Sequence, residues 1–218
     1  MTLTSELLGA ETKKLLERPD LAALIPSHLV LLHQMSRASV PLMKVARREA
    51  KRVHNDRVCA RLVEYFGRHM EEERYHDEWV LEDLASIGIH RDEIMLIAPS
   101  ARVASMVGAQ YYWVLHHHPV ALLGYIAMLE SNAPSVALIE DLQSQTGLPA
   151  SAFRTMRLHA EVDKDHQSAL AALFDELPLD DPQESMIAVS AAYTGASFAY
   201  CLADLRPWKE SATRVASA

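Results

Sequence analysis

The stretch Arg157-Leu158-His159-Ala160-Glu161-Val162-Asp163-Lys164-Asp165-His166-Gln167-Ser168-Ala169-Leu170 decides the fold. At about 100° per residue on a helix, His159, Asp163 and His166 fall within about 60° of one another. They interrupt an apolar stripe of Phe153, Met156, Leu170 and Leu173. Three ligand-type groups therefore point where a core belongs. A buried carboxylate or imidazole without a partner is costly, and a divalent cation offsets that cost. Asp165 and Glu161 fall on the opposite side and read as solvated. The segment predicts a long helix from Ser151 to about 177 that carries half of a buried metal site.

Two further stripes match it. Between Arg61 and Leu84 the inward positions are Leu62, Phe66, His69, Glu73, His76, Val80 and Leu84, which predicts one long helix over about 55–87. Glu73 and His76 stand at i and i+3. That is the spacing by which one bundle helix offers a bridging carboxylate and an imidazole to a di-iron centre. His69 is also inward, as a partner behind the ligands or an alternative ligand. Glu72 reaches the site's edge, and Glu71 lies outside. Between Pro119 and Pro134, Leu123, Ile126 and Ala127 precede Glu130 on one face. A lone glutamate at the end of so apolar a helix needs a partner. The predicted metal set is Glu73, His76, Glu130, His159, Asp163 and His166. Mixed nitrogen and oxygen ligation favours iron or manganese over a soft thiolate metal. Three carboxylates offset most of the charge of two divalent ions and leave positions open for water, O2 and substrate.

The rest of the chain agrees with an all-α bundle. Only 7 glycines occur in 218 residues, the 10 prolines fall mostly between periodic segments, and strand-like alternation is nearly absent. Helices are predicted over about 3–17, 26–53 with an interruption at Pro41, 55–87, 100–117, from Pro119 to Glu130, 135–145, 151–177 and 181–204. Asp181-Pro182 is read as the start of the last one. The reading is a single domain over 1–218, with its core at about 20–205, seven to eight helices and a loose tail from about Pro207.

Net charge is −8 and no basic stripe emerges, which argues against nucleic acid and anionic membranes as partners. Lys44, Arg47, Arg48, Lys51 and Arg52 recur at helical spacing as a solvated face. Two cysteines, Cys59 and Cys201, fit a reducing cytosol. The first residues lack the apolar core of a signal peptide, and no transmembrane helix is expected. These points predict a cytoplasmic protein with a small-molecule partner.

The ligand pattern resembles the haem-oxygenase-like di-metal oxidases, a branch of the fold shared by haem oxygenase and the thiaminase-like proteins. That family carries Glu and His on one core helix, Glu on another, and His-x-x-x-Asp-x-x-His on a third. Here these are Glu73 with His76, Glu130, and His159, Asp163 and His166. The first pair has the short Glu-x-x-His form, similar to the fatty-acid decarboxylases that make terminal alkenes. The long form would place a glutamate at His69. The resemblance covers about residues 60–175. It implies two Fe(II), with manganese an option at one position, and O2 as co-substrate. It also implies oxidation of amino acids or fatty acids by decarboxylation, C–C cleavage, N-oxygenation or nitrile formation, usually in natural-product biosynthesis.

Three other readings stand beside it. A haem oxygenase needs an axial histidine on an early helix, where His28 and His33 lead. A thiaminase-like hydrolase needs a cysteine nucleophile, whereas Cys59 and Cys201 read as packing residues. A non-enzymatic binding protein would use the small-residue segment 186–200 as a face for a homodimer. His116, His117 and His118 read as a solvated helix end favourable to the dipole. Tyr111, Tyr112, Trp113 and Tyr125 are candidates for the pocket wall, as are Met128 and Met156. Arg102, Arg154 and Arg157 are candidate anchors for a substrate carboxylate.

Overall fold

Helical periodicity carried through nearly the whole chain becomes ten α-helices, with no strand among the described residues. The computed structural model describes residues 3–208, apart from the side chains of Leu3 and of residues 161–165. In chain order the helices are α1 (Leu3–Leu16), α2 (Leu21–Arg52), α3 (Arg57–Glu72), α4 (His76–Ala85), α5 (Arg91–Met95) and α6 (Ala101–His116). They continue with α7 (Ala121–Glu130), α8 (Val136–Thr146), α9 (Arg154–Glu176) and α10 (Asp181–Ala203). A 3-10 turn over Ala150–Phe153 leads into α9.

The bundle has two halves that meet at α7. On one side α2 is a long pillar against which α3, α4 and α6 pack. On the other, α10 packs against α7, α1 and α6, while α9 closes onto α4, α7 and α8. A helix that is apolar on all sides has to be surrounded. In α7, every residue from Ala121 to Ile126 is buried, as are Met128 and Glu130. Gly124 permits the close contact with α10: a Cβ there would lie 2.2 Å from the Ile187 carbonyl oxygen.

Several expectations change. The predicted helix over 55–87 is two helices, broken at Glu73–Tyr75, where Tyr75 adopts a left-handed φ of 73°. Neither glycine nor proline marks that break, so composition gave no sign of it. The second helix starts at Leu21 rather than 26 and runs unbroken through Pro26 and Pro41. A mid-helix proline costs about 3 kcal/mol, and burial of Leu42, Met43, Ala46 and Ala50 beyond it outweighs that loss. Asp180, one residue before the expected start, caps α10, its Oδ1 accepting the Gln183 N–H at 2.8 Å. The short α5 lies in a stretch predicted as loop.

Among the described residues one helix, α10, is long and apolar enough to cross a membrane by length and composition alone. An 18-residue window of α10 has a mean hydropathy of 1.4. In this fold α10 lies against three other helices. The predicted tail from about 207 falls largely in residues 209–218, outside the described residues.

Candidate metal centre

The break at Glu73–Tyr75 sets the geometry of the centre. Glu73 closes α3, its N–H bonding back to His69, and His76 opens α4. The two side chains meet across the break, His76 Nδ1 lying 3.2 Å from Glu73 Oε2. From α9, His159 Nε2 comes within 3.1 Å of His76 Nδ1. His159 Nδ1 donates to the Thr155 carbonyl at 2.9 Å. Its proton is thereby fixed on Nδ1, and the Nε2 lone pair faces the cluster, the arrangement of a metal-ligating imidazole. Two imidazole nitrogens at 3.1 Å need either a proton or a cation between them.

A second cluster adjoins the first. His69 Nε2 sits 3.0 Å from Glu130 Oε1, off the alignment a hydrogen bond needs, and His69 Nδ1 is 3.2 Å from Glu72 Oε2. His166 Nδ1 lies 3.7 Å from Glu130 Oε1 and 3.9 Å from Glu73 Oε1. The rings of His69 and His166 meet edge to face with centroids 4.9 Å apart. Glu73 faces both clusters, one oxygen toward each. In each of the groups Glu73–His76–His159 and His69–Glu73–His166, the potential ligand atoms lie within 4.8 Å of one another.

These groups fit metal ions. Among the described residues both Glu130 oxygens are buried without a well-aligned hydrogen bond, with only the His69 and His166 rings nearby, and a buried carboxylate so placed is expensive. Burial alone would raise the Glu73 carboxyl. Its bond to His76 and the imidazoles of His69 and His159 instead hold it down, at about 2. Burial lowers His159, helped by His76. Burial opposes the charged form of His69, but Glu130 and Glu73 raise its pKa above the usual value. A concave, buried set of imidazoles and carboxylates is the donor chemistry of iron or manganese.

The structure therefore brings Glu73, His76, Glu130, His159 and His166 together. It also moves His69 from a supporting position to the middle of the second cluster. Glu72 remains at the rim, its side chain 39 % exposed. Asp163 lies on α9 between the two histidines, but its side chain is outside the described residues, as are those of Glu161 and Asp165.

Another cluster has a similar make-up and different chemistry. Cys59 Sγ and Asp56 Oδ2 each lie 3.5 Å from His118 Nε2. His118 Nδ1 accepts the Val120 N–H at 3.1 Å, so the ring proton sits on Nε2 and occupies the centre of the group. The ring thus ties the start of α7 to the Asp56 cap of α3. This corrects the reading of His118 as solvated, while His116 and His117 are exposed. Burial pushes the Cys59 thiol up to about 12, and Cys201 to about 11. Neither sulfur is a poised nucleophile.

A cavity of about 610 Å³ opens beside the centre, lined by His69, Glu73, Glu130 and His159 at that end. Its walls come from α1, α2, α7, α8, α9 and α10 and are largely apolar. Tyr125 and Met156 line it. Tyr111, Tyr112, Trp113 and Met128 are not among its lining residues. Nor are the candidate arginine anchors: Arg102 pairs with Asp204, Arg154 with Glu82, and Arg157 with Gln143. The sequence reading missed the α1 wall and Trp79, whose ring lies tilted against His76 with centroids 4.3 Å apart. The Glu-x-x-His phase points to that neighbourhood, but nothing in the sequence singles out either feature.

A family model described as an iron-containing redox enzyme matches residues 32–200. Among solved structures, the chain resembles a domain of unknown function with a haem oxygenase-like fold from Shewanella denitrificans. The TM-score is 0.80 at 18 % identity, over 99 % of this chain and 91 % of that one. The likeness shows the haem oxygenase-like fold. No curated protein matches.

Proposed function

The chain belongs to the iron-containing redox enzyme family, and from that footing we propose that it is a non-haem di-iron oxidoreductase using O2. The observation that carries the reading is Glu73, one carboxylate turned toward two adjacent ligand clusters. His76 and His159 would hold one ion, His69, His166 and Glu130 the other, with Glu73 between them. Asp163 completes the proposed set from α9. When bound, the iron pair supplies the electrons and the site for O2 reduction.

The protein's part is placement. The Thr155 carbonyl keeps the proton of His159 on Nδ1, so Nε2 stays available. Glu72 lies behind His69 Nδ1 and orients that ring. Val80, Leu122, Tyr125 and Met156 line the adjoining cavity and keep bulk water from the reacting face. The cavity's volume and apolar walls suit a small amino-acid- or fatty-acid-like substrate. Decarboxylation, C–C cleavage, N-oxygenation and nitrile formation are the outcomes in view, in natural-product biosynthesis.

Anaerobic Fe(II) titration with iron quantitation tests the reading, followed by O2 uptake across panels of amino acids and fatty acids. Two irons per chain and substrate-dependent uptake are expected. One iron at saturation, or none, would sink the dinuclear reading.

A further inference from the structure

His28 lines the cavity but is not part of the candidate centre. It lies on the α2 face that carries Leu21, Ile25, Leu32 and Met35 along the cavity wall, the one imidazole in that apolar run. Among the described residues no hydrogen bond or ion pair ties the ring to the protein. Its Nδ1 is sealed from solvent and has no hydrogen-bond partner. Burial pushes the ring down to about 4, so it is neutral at ordinary pH.

A neutral imidazole carries one proton on one of two nitrogens. A buried N–H left unpaired is rarer in folded proteins than an unpaired acceptor. We therefore assign the proton to Nε2 and leave sealed Nδ1 as the bare acceptor. Nε2–H is then the one donor this ring has to give, and the ring lines a chamber large enough for a whole small molecule. An apolar helix face gains nothing from an unpartnered imidazole, which lowers stability unless something in the chamber accepts its hydrogen bond.

We propose that His28 is a substrate-positioning residue, whose Nε2–H donates to an acceptor oxygen on an otherwise apolar ligand in this cavity. Of the two substrate classes proposed above this favours the fatty-acid-like one: an elongated apolar molecule bearing a carbonyl, ether or similar oxygen within its body. This rests on the cavity being the substrate chamber of the iron centre proposed above. Lys13 is the one lysine or arginine among the described lining residues, and it is exposed and 3.8 Å from Glu17. The described wall around His28 thus selects for a hydrogen-bond acceptor rather than for charge.

The naphthyl ketone prodan is a suitable probe. It is apolar and neutral, it carries one carbonyl, and its emission shifts to the red when that carbonyl accepts a hydrogen bond. Wild type and His28→Phe are titrated with prodan after loading with Fe(II) under anaerobic conditions. We expect the variant to bind about three- to tenfold more weakly, the usual effect of one neutral hydrogen bond, with emission shifted to the blue. Equal affinity and equal emission in the two proteins, or no binding by wild type, overturns the proposal. Nitrogen-15 spectra of the wild-type histidine rings supply a second readout should the variant fold poorly. They should show an Nε2–H tautomer whose ring signals move on adding prodan, and a proton on Nδ1 overturns the proposal. Iron content is measured on the same samples. Two irons with an unchanged prodan response removes the role of His28 alone, whereas loss of iron from wild type removes the di-iron reading.

Discussion

Asp83 Oδ2 accepts the backbone N–H of Thr155 at 2.9 Å, and through it α4 sets the start of the helix that carries His159 and His166. Asp83 is 1 % exposed, and burial raises its carboxyl pKa, against the pull of Thr155 and Arg154. The carbonyl of the same Thr155 then holds His159 Nδ1. One buried carboxylate on α4 thus fixes, through a single residue, which nitrogen His159 turns to the centre.

Removing that link should cost both stability and metal affinity. Asp83→Ala strands a buried N–H near a helix start, worth about 1–3 kcal/mol. In a chain of this size that lowers Tm by roughly 2–12 °C. Iron affinity should fall about tenfold or more, as for other groups that orient metal ligands. Thermal melts and iron titration read the two effects separately. A variant with normal iron affinity would show that His159 does not need this support.

The shared position of Glu73 predicts unequal ligand variants. His159→Ala should lower saturating iron from two per chain toward one, since His69, His166 and Glu130 remain. Glu73→Ala should lower it toward zero, because both clusters use that carboxylate. Equal losses in the two variants would argue against a bridging role.

Two glycines should respond in opposite directions to alanine. At Gly124 the new methyl would meet the Ile187 carbonyl at 2.2 Å and the Ala191 nitrogen at 2.7 Å, backbone atoms that cannot give way cheaply. Overpacking of this kind costs about 3 kcal/mol or more. At Gly108, on the exposed side of α6, nothing lies within 4 Å of the new Cβ. There alanine should stabilise by about 0.5–1 kcal/mol through helix propensity. Denaturant midpoints check both.

Acid should weaken the fold through its buried neutral histidines. His28 titrates near 6.5 when unfolded and at about 4 when folded, held down by burial. His118 is shifted in the same direction, burial outweighing its pairing with Asp56. Between these values the unfolded chain binds more protons, so stability falls as pH drops through 6.5 toward 4. For His28 the loss is on the order of 2–3 kcal/mol at the low end of that window. His28→Phe should flatten the unfolding free energy between pH 7 and pH 4. An unchanged slope would contradict the assignment.

The all-α architecture and most helix spans were legible because long amphipathic periods leave few alternatives. The stripes also put Glu73, His76, Glu130, His159 and His166 on faces that the structure brings together. Phase could not rank His69, since a helical wheel gives the direction of a side chain and not its distance from Glu130. The break after Glu73 was invisible because left-handed Tyr75 carries none of the residues that usually mark such a turn. That backbone costs about 1–3 kcal/mol, and the Tyr75 side chain itself is exposed. His118 was misread because its two partners, the Val120 N–H and the Asp56–Cys59 cap, lie on different helices. Local sequence at a helix end cannot show a contact of that range.

The wall that α1 lends the cavity ties the enzyme's assembly to the order of its synthesis. Of the described helices α1 is the earliest to be made and α10, on which it packs, the latest. A ribosome-bound chain that has released α3 displays His69 and Glu73 long before His159 and His166 emerge. A chain that ends before His166 lacks part of the ligand set, and one that ends before α10 lacks Phe198 and Leu202 from the chamber wall. The proposed metal site can therefore form only once α9 has emerged and the chamber only once α10 has, and a nascent chain stalled before α9 should bind iron more weakly than the full chain.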